Sequence, residues 1–242
     1  MSMATISEII RCHQEFAAAQ NTVDLLPRKV DLALQTCRAA LVTLEYRLAD
    51  IDYPVKSLIL DPDQGQADRM AQLEAHTRRT IPAVLKQLWD VIGGISFIDL
   101  DDYTHVDFWD GLEITGAKEF CDGVCVENCS PKLLEYIMDD FDAHQEDDAE
   151  SEFIFTFAPD GYHKDDISGG PPYGLNAGEW LPLVCNFEWT GYRRPESVNS
   201  MSTDFMGYLR TAILECGGFP GLLGHPKFEP IRMRLVEGLP AF

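Results

Sequence analysis

The sequence predicts an α+β fold: several helices packed with a mostly antiparallel sheet, preceded by N-terminal helices. Two observations predict it. Apolar residues recur at helical spacing through roughly the first ninety positions, and from Ile95 the period shortens to that of strands. Helices first and mostly consecutive strands afterwards is the order of an α+β chain, not of alternating βαβ units. A hydrophobic content of 45% over 242 residues is enough for a sizeable core.

The elements follow in order. Ile6, Ile9, Ile10, His13 and Phe16 form one helical stripe, and Leu34, Cys37, Leu41, Leu44 and Leu48 a second. Residues 52–65 hold Pro54, Pro62 and Gly65 and read as a connector. A helix is expected from about Ala67 to Arg79. Thr80 then reads as the N-cap of another, with Pro82 in its first turn and Val84, Leu85, Leu88, Trp89 and Ile92 on its apolar face. Gly93-Gly94 ends it, because glycine takes the left-handed conformation without steric cost. Short strands are expected at Ser96–Ile98, Val106–Trp109, Leu112–Ile114 and Val124–Val126. Ser130-Pro131 opens a helix with Leu133, Leu134, Ile137, Met138 and Phe141 inward. Phe153–Phe157 reads as a strong strand, and Glu179–Phe187 as a strand interrupted by Pro182. Thr203–Cys216 reads as a helix stopped by Gly217-Gly218, and Ile231–Val236 as a last strand.

Charge is distributed unevenly. Twenty-two of the forty acidic residues lie between Asp90 and Asp166, with only Lys118, Lys132 and Lys164 to oppose them. That stretch carries −19 of the chain's formal −21. Gathered negative charge makes a directional field that attracts cationic partners and repels nucleic acid and anionic membranes. The start of the chain lacks the basic and apolar regions of a signal peptide, and no run reaches the roughly 18 apolar residues that span a bilayer. Seven cysteines scattered among large apolar residues read as reduced, buried thiols of a cytoplasmic protein.

Three segments carry a resemblance. The first runs from Ile81-Pro82 through Trp89 to Gly93-Gly94. The second is Tyr162-His163-Lys164, followed by Ser168-Gly169-Gly170-Pro171-Pro172-Tyr173. The third is Tyr208-Leu209-Arg210, followed by Gly217-Gly218-Phe219-Pro220-Gly221. In this order the chain resembles the SUKH superfamily, in its cell-wall-assembly-regulator-like bacterial branch. The resemblance covers residues 66–242, and residues 1–65 read as a helical extension packed on that domain. It implies an α+β domain that binds proteins: bacterial members are immunity proteins that neutralise a neighbouring toxin, often a nuclease, and fungal relatives are regulatory interaction proteins. It implies no catalytic residues and no cofactor.

The candidate partner-binding residues form two groups. Asp99, Asp101, Asp102, Asp107 and Asp110 are interleaved with Tyr103, Phe108 and Trp109, the mixture of an interface that receives Arg and Lys. Phe108 is assigned to the core, whereas Tyr103 and Trp109 fit either core or contact. The second group is the run from Asp139 to Glu152, with Asp139, Asp140, Asp142, Glu146, Asp147 and Asp148 among its eight acids and no base. Carboxylates near a helix C-terminus oppose the macrodipole, and a local rule broken without compensation points to function. The bland alternative is a solvated loop that aids solubility.

Other constellations are weaker. Cys121, Cys125 and Cys129 follow C-x₃-C-x₃-C, which lacks the paired C-x₂-C of a metal site, and buried thiols fit better. The H-x-D pairs His105/Asp107 and His163/Asp165 have no third ligand at a known spacing. Ser168–Pro172 lacks the phosphate-loop pattern and its prolines forbid a following helix. The expected function is thus a non-enzymatic module that binds a basic protein, such as a nuclease toxin, and neither nucleic acid nor membrane. A regulatory scaffold of the same fold is the alternative, with a carboxylate- or metal-dependent hydrolase behind it.

Overall fold

The computed structural model describes residues 5–20, 22, 25–98, 104–114, 123–148, 152–158, 173–186, 189, 192–198 and 203–242. Asp99, Asp101, Asp102, Tyr103, Cys121, Tyr162, His163, Ser168, Gly169, Gly170, Pro171 and Pro172 lie outside the described residues. The fold is α+β, with small antiparallel sheets among helices.

The first helix, α1 (Ile6–Ala19), begins with a capping box. Thr5 accepts from the Glu8 amide, and Glu8 reaches back to the Thr5 amide at 2.6 Å. Helix α2 (Leu26–Ala49) buries Val30, Leu34, Cys37, Leu41, Leu44 and Leu48 along one side. The connector contributes a short strand, β1 (Ile59–Leu60), before α3 (Gln66–Thr77) and α4 (Ala83–Val91). The N-cap of α4 is Pro82, two residues later than expected, because the Thr80 carbonyl instead accepts from the Gly178 amide at 2.9 Å. Gly93 does follow α4 with a φ of +93°, and a Cβ there would stand 2.0 Å from the Leu60 carbonyl oxygen.

One sheet is ordered β1–β2–β3, with β2 at Gly94–Ser96 and β3 at Cys125–Val126. The other is ordered β4–β5–β6, with β4 at Ile154–Ala158, β5 at Tyr173–Asn176 and β6 at Val184–Cys185. All their pairings are antiparallel. The Glu127 amide donates to the Phe157 carbonyl across 3.3 Å, so the two sheets abut at β3 and β4.

Three expected strands are overturned. Val106–Trp109 belongs to helix α5 (Thr104–Gly111), in which His105 and Trp109, one turn apart, are the buried pair. The alternation of Val106, Asp107 and Phe108 spans too few residues to separate period two from period 3.6. Leu112–Ile114 is the turn that ends α5, with the Ile114 amide donating to the Trp109 carbonyl and Glu113 at a φ of +53°. Ile231–Val236 lies in helix α8 (Glu229–Val236), opened by Pro230. Its buried residues are Arg232, Leu235 and Val236, which is helical spacing, and the buried arginine hides that period from a hydrophobic reading. Glu179–Phe187 also shrinks to β6, although Leu183 adds a bridge to Asp204.

The expected helix from Thr203 begins as α7 (Phe205–Arg210), capped by Asp204, and changes pitch into a π-helical turn at Thr211–Glu215. That turn aims two buried polar side chains at one loop. Glu215 accepts from the amides of Glu196 (2.5 Å) and Ser197 (2.9 Å), and the Thr211 and Ser197 hydroxyls meet at 2.9 Å. Arg232 donates to the Glu215 carbonyl at 2.7 Å, which fastens α8 to the same turn. Gly217 and Gly218 both have positive φ and stop the helix as expected.

Gly218 also admits the Phe97 ring, which would lie 2.0 Å from any Cβ at that position. The next residue, Phe219, is fully buried and packs edge-to-face against Trp109 (5.0 Å), Phe97 (5.4 Å), Tyr53 (5.4 Å) and Phe228 (5.9 Å). Arg210 is buried without exposure beneath α1. Its guanidinium carbon sits 3.9 Å from the centre of the Phe16 ring, and its Nε donates to the Phe242 main-chain oxygen. Burial lowers its pKa to about 10, against the pull of Asp204.

Two stability predictions follow from this packing. Phe219→Ala should lower the unfolding free energy by about 3–5 kcal/mol, the range for deleting a buried aromatic ring; urea denaturation checks it, and a loss under ~1 kcal/mol would show that the ring cluster is not structural. His13, against Arg210, is drawn down to about 4 by burial first and by that charge second. The folded state therefore resists protonation down to about 4, while the unfolded chain takes up a proton near the ordinary 6.5. Stability from this group is complete above that upper value and is lost on acidification, by on the order of 2–3 kcal/mol once the lower value is reached. His13→Gln should flatten that part of the pH profile of unfolding; parallel profiles for the two proteins would refute it.

Candidate functional site

Helix α6 (Pro131–Asp148) carries the acidic run. It opens as its sequence dictates: Ser130 is the cap, its Oγ accepting from the Leu133 amide at 3.1 Å, with Pro131 at the first position. The helix continues through the acids because its apolar period continues. Leu134, Ile137, Phe141 and His144 follow one another by three, four and three residues. Phe141 meets Phe153 edge-to-face at 5.0 Å, and the His144 ring lies 5.6 Å from the Phe153 ring. Phe153, just before β4, and helix α3 thus hold the C-terminal half of α6 in place, and residues 139–148 are helical rather than a solvated loop.

The opposite side of α6 is a line of carboxylates. Glu135, Asp139, Asp142 and Glu146 are separated by four, three and four residues, and all four are exposed. Asp140 is half-buried beside this line, and burial pushes its carboxyl above the usual range while His144 pulls it back. Asp147 and Asp148 end the helix, whose last turn holds no basic residue. Asp142 meets His76 of α3, whose ring Nε2 lies 2.8 Å from a carboxylate oxygen. Like charges at these spacings destabilise a helix by about 0.2–0.5 kcal/mol per pair, and acids in the last turn oppose its dipole. The cost to folding is local and the packing of Phe141 offsets it.

The first acidic group fares differently. Trp109 is fully buried among Tyr53, Phe108, Phe219 and Phe228, so it leaves the candidate contact set. Phe108 packs against the core as expected. Asp107 is exposed on α5 and Asp110 half-buried. α5 packs through Trp109 on the C-terminal aromatics, while α6 packs on α3 and Phe153. The two acidic groups therefore ride on separate supports.

The weaker constellations dissolve. His105 is buried while Asp107 points to solvent, so that pair does not converge. Cys125 and Cys129 are buried, and burial pushes the Cys129 thiol up to about 11. Among the described residues no group of three or more His, Cys, Asp or Glu is placed to hold a metal ion, and no helix is long and apolar enough to cross a membrane. Of the motif residues, Trp89 is buried and donates from Nε1 to the Glu127 carbonyl at 2.9 Å, and Tyr208, Leu209, Arg210, Phe219 and Gly221 are buried while Pro220 is partly so. Tyr173 opens β5 and is partly buried. The site residues that sequence reasoning missed are Glu135, one turn before the acidic run, and His76, the hydrogen-bond partner of Asp142.

If the carboxylate line costs stability, relieving it should raise stability. Asp139→Lys with Glu146→Lys should raise the melting temperature by a few degrees at low salt, with the gain shrinking as salt is added. Differential scanning calorimetry reads this, and a lower melting temperature would mean that the carboxylates are structurally required.

Comparison with protein-family models, with curated proteins and with solved structures returned no match.

Proposed function

We propose that this chain is a non-enzymatic protein-binding module of the immunity type, which neutralises a toxin by seating the acidic side of α6 on a basic surface. The observation that carries the reading is the line Glu135–Asp139–Asp142–Glu146, exposed along one side of a helix, of which Asp142 alone meets a side chain of another helix, His76 of α3, among the described residues. Neighbours on such a line are about 5–6 Å apart. A row of regularly spaced negative charge is what a nuclease cleft is built to receive, so the carboxylates would occupy the place of phosphates. Inhibition would then follow from occupancy alone, with no bond made or broken. The resemblance of residues 66–242 to the SUKH superfamily supports the same reading, with a toxin encoded nearby as the partner.

An acidic face of this kind acts first on encounter. Opposite charge steers association and can bring on-rates to about 10⁸–10⁹ M⁻¹s⁻¹ at low salt. The test is a stopped-flow measurement with the product of the adjoining open reading frame. Replacing Glu135, Asp139 and Glu146 by Gln, Asn and Gln should slow association roughly tenfold at low salt, and the two proteins should converge at high salt. Absence of a complex at low salt, or equal rates for the two proteins, would overturn the proposal.

A further inference from the structure

Helix α2 buries one side and leaves the other open. Leu25 is 50% exposed, Leu32 66% and Tyr46 73%, with Val42 at 38% and Ala39 and Ala49 also exposed. These six residues obey a heptad rule. Leu25, Leu32, Ala39 and Tyr46 are each seven apart, and Val42 and Ala49 stand three after the last two. A seven-residue apolar repeat on a solvent-facing side is the pattern of a helix that packs on another helix. The buried side of α2 already meets α1, α4, α8 and β1, so the outer stripe is surplus to the chain's own core. We propose that α2 is the seam of an antiparallel homodimer, each copy laying this stripe on that of the other.

Charge opposes a second copy least at this place. At −21, two copies repel each other over most approaches. Helix α2 is the exception: Arg28, Lys29, Arg38 and Arg47 outnumber Asp31 and Glu45, the most positive balance of any helix among the described residues. It also has a direction. Its first turn is basic, with Arg28 and Lys29, whereas its far end is mixed, with Arg47 between Glu45 and the capping Asp50. Antiparallel pairing sets the basic start of each helix beside the mixed-charge end of the other, away from its own copy, and opposes their dipoles. Parallel pairing would set Arg28 on Arg28 and Tyr46 on Tyr46.

Side-chain size agrees. With the two-fold axis near residue 37, Leu25 lies opposite Ala49 of the second copy, Leu32 opposite Val42, and the stem of Arg28 over the ring of Tyr46. Each layer joins a large group to a smaller or flatter one. The length is sufficient. At 24 residues α2 spans about 36 Å, and a seam of that length buries on the order of 600–800 Å² a side, the lower edge of the size typical of specific association. Affinity in the micromolar range is expected.

Sedimentation equilibrium of the full chain, from micromolar to sub-millimolar concentration, decides it. The protein should dimerise, and Leu32→Glu with Tyr46→Glu should leave it monomeric with an unchanged circular dichroism spectrum. In an equimolar mixture of Leu25→Cys and Ala49→Cys proteins, mild oxidation should give a covalent dimer linking the two variants, absent from the wild type and from Leu25→Cys alone. The cross-link decides alone should the glutamate variant fail to fold. A monomer at all concentrations, a dimer that survives both glutamates, or a Leu25→Cys protein that links to itself would each overturn the proposal.

Discussion

The position of one side chain, Phe219, constrains most of this structure. Its ring is the meeting point of four others that arrive from separate parts of the chain: Tyr53 from the connector, Phe97 just after β2, Trp109 from α5 and Phe228 from the turn before α8. Aromatic rings prefer such edge-to-face approaches, and each pair adds about 0.5–1.5 kcal/mol beyond the burial of its area. The arrangement has little tolerance. Tyr53 donates its hydroxyl to the Phe97 carbonyl at 2.5 Å, and Phe97 in turn lies against Gly218, where no side chain fits. A shift at any member would either open a void or drive a ring into backbone. The glycine pair that stops the helix and the phenylalanine that follows it are therefore one device.

Around this apolar centre the chain buries charge, and it does so asymmetrically. Glu215, Arg232 and Glu229 satisfy one another. Arg232 reaches both oxygens it needs, the Glu215 carbonyl and the Glu229 carboxylate, and Glu229 accepts from the Gly224 amide at 2.7 Å. A fully connected polar network in a low-dielectric setting fixes geometry, because each lost bond leaves a buried group unpaired. The π-helical turn makes this possible by rotating Glu215 toward residues 196–197, a re-aiming that a regular helix would not provide. Arg210 is handled differently. It is stabilised by the face of the Phe16 ring and by the nearby Asp204, which itself caps α7 through the Gly207 amide. Attachment of α1 to the body of the protein thus combines a charge set against an aromatic face with the burial of Ile9 and Ala19.

The legibility of these features in the sequence follows from whether one residue type reports one environment. Apolar stripes at helical spacing marked α1, α2, α4 and the buried side of α6, because those side chains face a core. Gly93 and Gly218 were legible since their backbone conformation excludes other residues. Helix α8 was misread because its buried period includes Arg232, which no hydrophobicity scale places inside. Helix α5 was misread because Val106, Asp107 and Phe108 alternate over three residues, too short a span to reveal that His105 and Trp109 share a face. Trp109 could be placed in the core only once Phe219 and Phe228, more than a hundred residues later, stood beside it. In α6 the stripe was legible as far as Phe141, and the density of acids beyond it masked its continuation to His144.

That last case bears on function. A helix is stabilised by its cap, by its buried face and by complementary charges along its length. Helix α6 has the first two, and of the third it has the contact of Asp142 with His76 and the pull of His144 on Asp140. Chance does not readily place four exposed carboxylates at spacings of four, three and four on a helix whose far end is also acidic. Solubility does not require it either, since a chain at −21 is already far from neutrality and dispersed charge would serve as well. The arrangement opposes the stability of the element that bears it, and the aromatic contacts of Phe141 with Phe153 are what keep that element helical. A feature that opposes the stability of its own helix, held in place by packing on the other side, is the ground on which the proposed docking against a surface of opposite sign rests.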